Sequence, residues 1–265
     1  MSGRKETAPG AAGKSGDSDP YLYFAEIYDQ LMCGVDYESW ADYVEQLLRR
    51  FGKQARSLVD LACGTGSSAL PFAARGYRVG AMDSSEAMLQ RARFKVQQAE
   101  LPVILYLNDL RSFCPVERYD LALLFQDGLN YLLTEAELAA ALGRVYDLLT
   151  PGGTFIFDLT RPSLRGGEEK SSVSWADDVD FTLIWESFYK HKEAIWEVAL
   201  TGFYREKEGV LYRKFQERHR EKDFEPERVR SLLEEAGFTV LGLYPSFSLE
   251  PACGSEAKLT FAVEK

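Results

Sequence analysis

Cysteine and histidine are both scarce in this chain of 265 residues, with four of the first and two of the second. The cysteines (Cys33, Cys63, Cys114 and Cys253) are scattered, form no CxxC pair and have no histidine nearby at metal-ligand spacing. That excludes a thiolate metal site and a dense disulfide framework, and it fits reduced thiols in a cytoplasmic protein. Basic residues are also in deficit, 31 against 41 acidic ones, for a formal net charge of -10. This balance argues against a nucleic-acid partner, because binding a phosphate backbone depends on clustered Lys and Arg. No run approaches the ~20 consecutive apolar residues of a membrane span. The first nineteen residues are rich in Gly, Ser, Ala and charge and lack the apolar stretch of a signal peptide. A soluble chain with a disordered tail over 1–19 is expected.

What is present reads as globular. Hydrophobic residues make up 46% of the chain and aromatic ones 13%, enough apolar surface for one large α/β domain or for a core with a small appendage. Order is expected from Asp19-Pro20, where Asp caps a helix and Pro fits its first position. Tyr21, Phe24 and Tyr28 then share one face of that helix. A second helix follows Asp36, with Trp40, Val44, Leu47, Leu48 and Phe51 as its apolar stripe and Gly52 as its stop. Beyond it, apolar runs at 57–62, 77–82, 103–107 and 121–125 alternate with helical stretches at 69–75 and 84–98. Such βαβ alternation predicts a mostly parallel sheet covered by helices on both faces. Thr134 and Glu137 form a capping box for a helix with Leu138, Leu142, Val145 and Leu149 on its apolar face. Pro151-Gly152-Gly153 is expected to stop that helix before a fifth strand at 154–159.

Between 161 and 223 the helical period disappears. Phe181, Leu183 and Trp185 alternate with other residues, and turn-like breaks fall at 191–193 and 206–209, which predicts an antiparallel meander inserted into the core. A last helix starts at Pro226 and stops at Gly237, and runs at 238–244 and 258–263 complete the sheet. The expected organisation is a tail over 1–19, a core formed by 20–160 and 224–265, and a β insertion over 161–223.

The chemistry concentrates where Leu58-Val59-Asp60-Leu61-Ala62-Cys63-Gly64-Thr65-Gly66 carries a strand into a glycine-rich turn. Gly64 and Gly66 have no Cβ, so the backbone turns tightly and a ligand approaches closely. Asp83 stands at the end of the next strand, the place of the acid that holds ribose hydroxyls in nucleotide-binding α/β folds. The same turn, as Gly64-x-Gly66-x-x-Ala69, also fits a dinucleotide site. An ordinary strand-to-helix turn, or a helix N-cap at Asp83, are the plainer readings.

Four stretches in order carry a resemblance: Asp60 to Gly66, Asp83-Ser84-Ser85-Glu86-Ala87-Met88-Leu89, Asn108-Asp109-Leu110, and Leu148-Leu149-Thr150-Pro151-Gly152-Gly153. With them the chain resembles the class I S-adenosylmethionine-dependent methyltransferases over roughly 21–160 and 225–265. It is most similar to the YqeM-like subgroup and the deoxyaminosugar N,N-dimethyltransferases, which share an opening Phe24-Ala25-Glu26-Ile27-Tyr28-Asp29 and a β insert. The resemblance implies a seven-stranded Rossmann-like sheet in the order 3-2-1-4-5-7-6 and S-adenosyl-L-methionine as cofactor. It implies that Ala62, Cys63, Gly64 and Gly66 pass beneath the methionine moiety, with Asp60 tied to the ammonium through local hydrogen bonds. It also puts Asp83 on the ribose, Asp109 beside Asn108 on the adenine amine, and Ser84, Met88 and Leu110 in the adenine pocket. Tyr28 as a lid and Gln126 are counted with the cofactor-binding residues. Asp127 and Tyr131, in the run Asp127-Gly128-Leu129-Asn130-Tyr131-Leu132, fall where the methyl group meets its acceptor.

The reading is therefore methyl transfer, in line, to a small-molecule acceptor at N or O, with no metal. Asp127 or the Tyr131 hydroxyl would position the acceptor or relay its proton. A homodimer is compatible with it. An NAD(P)-dependent oxidoreductase and a non-catalytic S-adenosylmethionine-binding protein are the alternatives. His191 and His219, the two histidines, are candidates for a general base, with exposed placement in the meander as the favoured reading. Asp127 hydrogen-bonded to its own loop and Tyr131 as a packing residue are the plainer readings of that run, and the alternating charges of 213–223 are read as a solvated strand surface.

Overall fold

The computed structural model describes residues 21–164, 171–206 and 210–265. The tail expected over 1–19, the Asp19-Pro20 helix start and residues 207–209 of one expected break lie outside the described residues.

Two helices precede the main sheet. α1 (Tyr28–Leu31) is a single turn, and α2 (Tyr37–Arg50) starts on Asp36, whose carboxylate accepts the Ser39 N–H at 3.0 Å. Alternation then runs as expected through β1 (Ser57–Leu61), α3 (Leu70–Ala74), β2 (Arg78–Asp83), α4 (Glu86–Ala99), β3 (Val103–Leu107) and β4 (Tyr119–Leu124). α5 (Glu135–Leu148) carries the Thr134/Glu137 capping box in full and leads into β5 (Leu149–Thr160). Four long antiparallel strands follow: β6 (Ser171–Asp177), β7 (Phe181–Lys190), β8 (Ile195–Arg205) and β9 (Tyr212–Lys222). α6 (Pro226–Glu235), β10 (Thr239–Pro245) and β11 (Lys258–Glu264) close the chain.

The main sheet has seven strands in the order β10-β11-β5-β4-β1-β2-β3, and β6-β7-β8-β9 form a separate sheet of four. Without the meander strands this is the expected order 3-2-1-4-5-7-6. Only β11 runs against its neighbours, pairing antiparallel with both β5 and β10. The strands alternate their side chains between two cores, as the period of a strand requires. Val59, Leu61, Ala122 and Phe157 pack on one face with Leu138, Leu142, Val229 and Leu233 of α5 and α6. Leu58, Val79, Leu121 and Ile156 pack on the other with Val44, Leu47, Phe72 and Leu89 of α2, α3 and α4. A third, smaller cluster joins Phe24 and Ile27 to Phe181, Leu183, Leu200 and Phe215 of the meander.

Two expectations need correcting. The helix expected from residue 21 onward is broken into a 3-10 turn (Phe24–Glu26) and α1, because its start is tied to the meander. The Glu217 carboxylate accepts the backbone N–H groups of Tyr21, Tyr23 and Phe24 at 2.9, 2.7 and 2.9 Å, which serves these orphan donors in place of a continued helix. Tyr21, Phe24 and Tyr28 still meet in one aromatic group. The Pro151-Gly152-Gly153 turn lies inside β5 rather than before it. The Gly152 N–H donates to the Lys265 carbonyl at 3.1 Å and the Lys265 N–H to the Gly153 carbonyl at 3.0 Å, so the chain's last residue supplies the strand pairing there.

Candidate active site

β1 leaves the sheet through Ala62, Gly64 and Gly66, all with positive φ (58°, 56° and 79°). A Cβ on Gly66 would stand 3.1 Å from the Ala92 Cβ, so α4 packs where glycine offers only hydrogen. The Asp83 carboxylate, buried at the end of β2, faces this turn and accepts the Gly64 N–H and the Ser85 N–H at 2.8 Å each. The N-cap of α4 is Ser85 and not Asp83, so the plainer reading of Asp83 as a cap does not hold.

A cavity of about 300 Å³ opens at this edge of the sheet. It gathers Ala62, Gly64, Asp83 and Ser84 from the ends of β1 and β2, Met88 from α4, and Asn108, Asp109 and Leu110 from the end of β3. Gln126 and Tyr131 close it after β4, and Tyr28 covers it from α1 with its hydroxyl donating to Gln126 Oε1 at 2.7 Å. Arg111, which sequence reasoning missed, also lines it and grips the Asp109 carboxylate through its Nε at 2.8 Å. That guanidinium holds Asp109 below the usual carboxylate range.

Asp60, Cys63, Gly66 and Asp127 do not line the cavity. Asp60 lies beneath the turn, buried, with one oxygen accepting the Ser68 hydroxyl at 2.6 Å. Burial pushes its carboxyl up to about 7, the Ser68 hydroxyl opposing. Burial likewise pushes the Cys63 thiol well up, so this cysteine is held as a neutral, unreactive thiol. Asp127 points toward β5 and β11. Its carboxylate accepts the Thr160 hydroxyl and pairs with Lys258 Nζ at 3.0 Å.

The loop after β4 is strained. Gln126 and Asp127 have φ of 59° and 64°, a region that costs a non-glycine residue about 1 kcal/mol or more. Asp158 over-determines the conformation, because its two oxygens accept the Gln126 N–H at 2.9 Å and the Asp127 N–H at 3.0 Å. Lys258 Nζ lies 2.8 Å from Asp158 as well, so one ammonium serves two carboxylates. Burial pushes Asp158 up against that cation, and burial of Lys258 is outweighed by Asp158 and Asp127, which hold its ammonium above the ordinary range.

The N-terminal segment is fastened over the turn. Asp29 accepts the Thr65 hydroxyl at 2.6 Å and pairs with Lys95 at 2.5 Å, while Lys95 also donates to Ser67 at 2.6 Å.

Behind the cavity, Tyr21 and Tyr131 are shared with a second chamber of about 190 Å³, walled by Leu31, Leu183, Trp185, Val198 and Leu200 and reached by His219 and Glu221. The two tyrosine hydroxyls are 2.5 Å apart, and Tyr131 is 3.0 Å from His219 Nδ1. His219 was read as exposed; it is buried, as is Glu217, while His191 is exposed as expected. β9 presents Phe215, Glu217 and His219 to the interior and Gln216, Arg218 and Arg220 to solvent. The period-two spacing of Phe215, Glu217 and His219 was the available signal, masked by charge on every side of it. Among the described residues no cluster of side chains could hold a metal ion, and no helix is long and apolar enough to cross a membrane.

Residues 58–153 match the family described as Methyltransferase domain. YqeM of Bacillus subtilis (strain 168), assigned as a methyltransferase, is 31% identical over 250 residues, 92% of this chain and 97% of that protein. The dTDP-3-amino-3,4,6-trideoxy-alpha-D-glucopyranose N,N-dimethyltransferase of Streptomyces venezuelae is 31% identical over 136 residues, 51% of this chain and 56% of that protein. A solved S-adenosylmethionine-dependent methyltransferase from Clostridium acetobutylicum ATCC 824 superposes with a TM-score of 0.81 at 25% identity, covering 92% of this chain and 98% of that one.

Proposed function

The chain belongs to the S-adenosylmethionine-dependent methyltransferases, with S-adenosylmethionine as its cofactor, and from that premise we propose that it methylates a small-molecule acceptor at nitrogen or oxygen. The observation that carries the proposal is the pair of adjoining spaces: a cavity over the glycine turn lined by both apolar and polar groups, and an apolar chamber beneath the meander, with Tyr21 and Tyr131 shared between them. The first has the size of a small-ligand pocket and the groups such a cofactor calls for. Asp83 turns a buried carboxylate toward it for the ribose diol, Met88 and Leu110 offer apolar contact to adenine, and Asn108 and Asp109 offer acceptors and a donor to its edge. Asp60, buried under the turn, answers the ammonium through the turn rather than by contact.

The cofactor supplies an electrophilic methyl group on a positively charged sulfur. The protein's part is alignment and exclusion of water. Tyr28, held by Gln126, and the segment fastened by Asp29 to Thr65 and Lys95 cover the cavity. Asp127, spent on Lys258 and Thr160, holds the loop in shape, and Tyr131 is the group of that loop that reaches the acceptor side. The likeness to an aminosugar N,N-dimethyltransferase supports an amine acceptor.

Thermal-shift titration tests the reading, since a ligand that binds only the folded state raises its melting temperature. S-adenosylmethionine and S-adenosylhomocysteine should each raise it, by an amount that grows with concentration, and NAD and NADP should not. Stabilisation by NAD alone would sink it.

A further inference from the structure

The meander carries a buried acid and a buried imidazole that cofactor binding does not use. Glu217 is wholly enclosed and accepts three backbone N–H groups of the N-terminal segment. Burial works against its charge, but His219 and those N–H groups more than offset this, so the carboxyl lies below the ordinary range and is ionised at neutral pH. His219 Nε2 lies 3.5 Å from Glu217 Oε2 and is otherwise an unpartnered buried atom. Its other nitrogen, Nδ1, is 3.0 Å from the Tyr131 hydroxyl, which is 2.5 Å from that of Tyr21.

The hydrogen positions follow from what each group has to offer. An ionised Glu217 only accepts, so the imidazole must present a proton on Nε2. In the neutral imidazole Nδ1 is then a bare lone pair, Tyr131 donates to it, and Tyr21 donates to the Tyr131 oxygen. The Tyr21 oxygen is left able to accept at the boundary between cavity and chamber. Burial pushes both phenols well above their ordinary value, so they pass protons as neutral hydroxyls.

We propose that His219, oriented by Glu217 and reached through Tyr131 and Tyr21, receives the proton that the acceptor loses on methylation. This rests on the methyltransferase reading above. The acceptor's lone pair forms the bond to the methyl carbon while the carbon–sulfur bond breaks, its electron pair going to sulfur. The acceptor's proton goes to the Tyr21 oxygen, that of Tyr21 to Tyr131, and that of Tyr131 to His219 Nδ1, leaving an imidazolium facing the Glu217 carboxylate. The groups around the imidazole are compatible with this. Glu217 and Glu221 come from its own strand, Tyr131 from the turn after β4, and Tyr21 from the N-terminal segment, with the Phe24 ring alongside and Val198 opposite on β8. Among the described residues named here, none carries positive charge. The arrangement also selects acceptors, favouring those that arrive with a proton to lose, a primary or secondary amine or a hydroxyl on an apolar body, over a thioether or a tertiary amine.

The chain has two histidines, so ¹⁵N-histidine labelling gives two ring signal sets, and the exposed His191→Gln assigns them. The proposal expects the ring proton of His219 on Nε2 with Nδ1 bare, and a shift of the Nδ1 resonance in Tyr131→Phe. A histidine that only packs is free to carry the proton on Nδ1 and donate it to Tyr131; that tautomer, or an imidazolium already present in the resting protein, would overturn the proposal. With benzylamine or a nucleotide-linked aminosugar as the probe acceptor, His219→Gln should lower kcat by about tenfold or more with KM little changed, and an unchanged kcat would contradict it. Where neither probe turns over, the tautomer decides. S-adenosylhomocysteine should bind His219→Gln as it binds the natural chain. Failure of the natural chain to bind it is a failure of the cofactor reading and leaves the tautomer result standing.

Discussion

At the scale of single residues, the site works by holding charges in unusual states. Asp60 is the clearest. Buried beneath the glycine turn, its carboxyl is pushed up to about 7. A raised folded-state value means that the native protein holds a proton the unfolded chain has already released, so this residue's contribution to stability is present below the unfolded value near 4 and is lost as pH rises through about 7. A cationic cofactor bound above the turn favours the ionised form, so binding near neutral pH should release protons. Calorimetry of S-adenosylmethionine binding in buffers of different ionisation enthalpy measures that release, and Asp60→Asn should abolish it. Equal proton release in the variant would contradict the role given to Asp60.

Elements of structure bring these residues together, and the buried amide of Asn130 shows how. Its side chain donates to the Thr160 carbonyl at 2.7 Å and to the Lys222 carbonyl at 2.8 Å, and its oxygen accepts the Thr160 N–H at 3.1 Å. It thereby ties the loop after β4 to the ends of β5 and β9, fixing Tyr131 next to His219. Asn130→Ala strands three buried groups, and with a cost of about 1 kcal/mol or more for each, stability should fall by about 3 kcal/mol. Urea unfolding reads this, and a loss below 1 kcal/mol would mean that the tie is not structural. Most of the elements were legible beforehand. Alternation of strand and helix, the capping box at Thr134 and the period-two run at Phe181 to Trp185 are local signals that the elements follow, while the turn between β6 and β7 falls at none of the expected breaks. The broken N-terminal helix was not legible, because its cause is Glu217, nearly two hundred residues away in sequence.

On the scale of the whole molecule, the same division holds for the site. Turn residues such as Gly64 and acids at strand ends such as Asp83 and Asp109 were readable because the topology of a parallel sheet brings strand ends to one edge. The surroundings of Asp127 and His219 were not. The carboxylate of Asp127, expected where the methyl group meets its acceptor, faces Lys258 because β11, far along the chain, places that ammonium beneath the loop. His219 looked exposed because charges surround it in sequence, yet the N-terminal segment docks over that face of β9 and buries it. Both outcomes depend on contacts between remote segments, which periodicity does not report.

The central claim is that the cavity over the glycine turn holds the cofactor through Asp83. Titration calorimetry of S-adenosylhomocysteine against the natural chain and Asp83→Asn tests it most directly. One site per chain is expected, with binding weakened at least about tenfold in the variant, or about 1.4 kcal/mol, measured at a temperature where both proteins are folded, since the amide serves only one of the two N–H groups that the carboxylate accepts and a lower melting temperature is expected. Equal affinity in the two proteins would contradict the account.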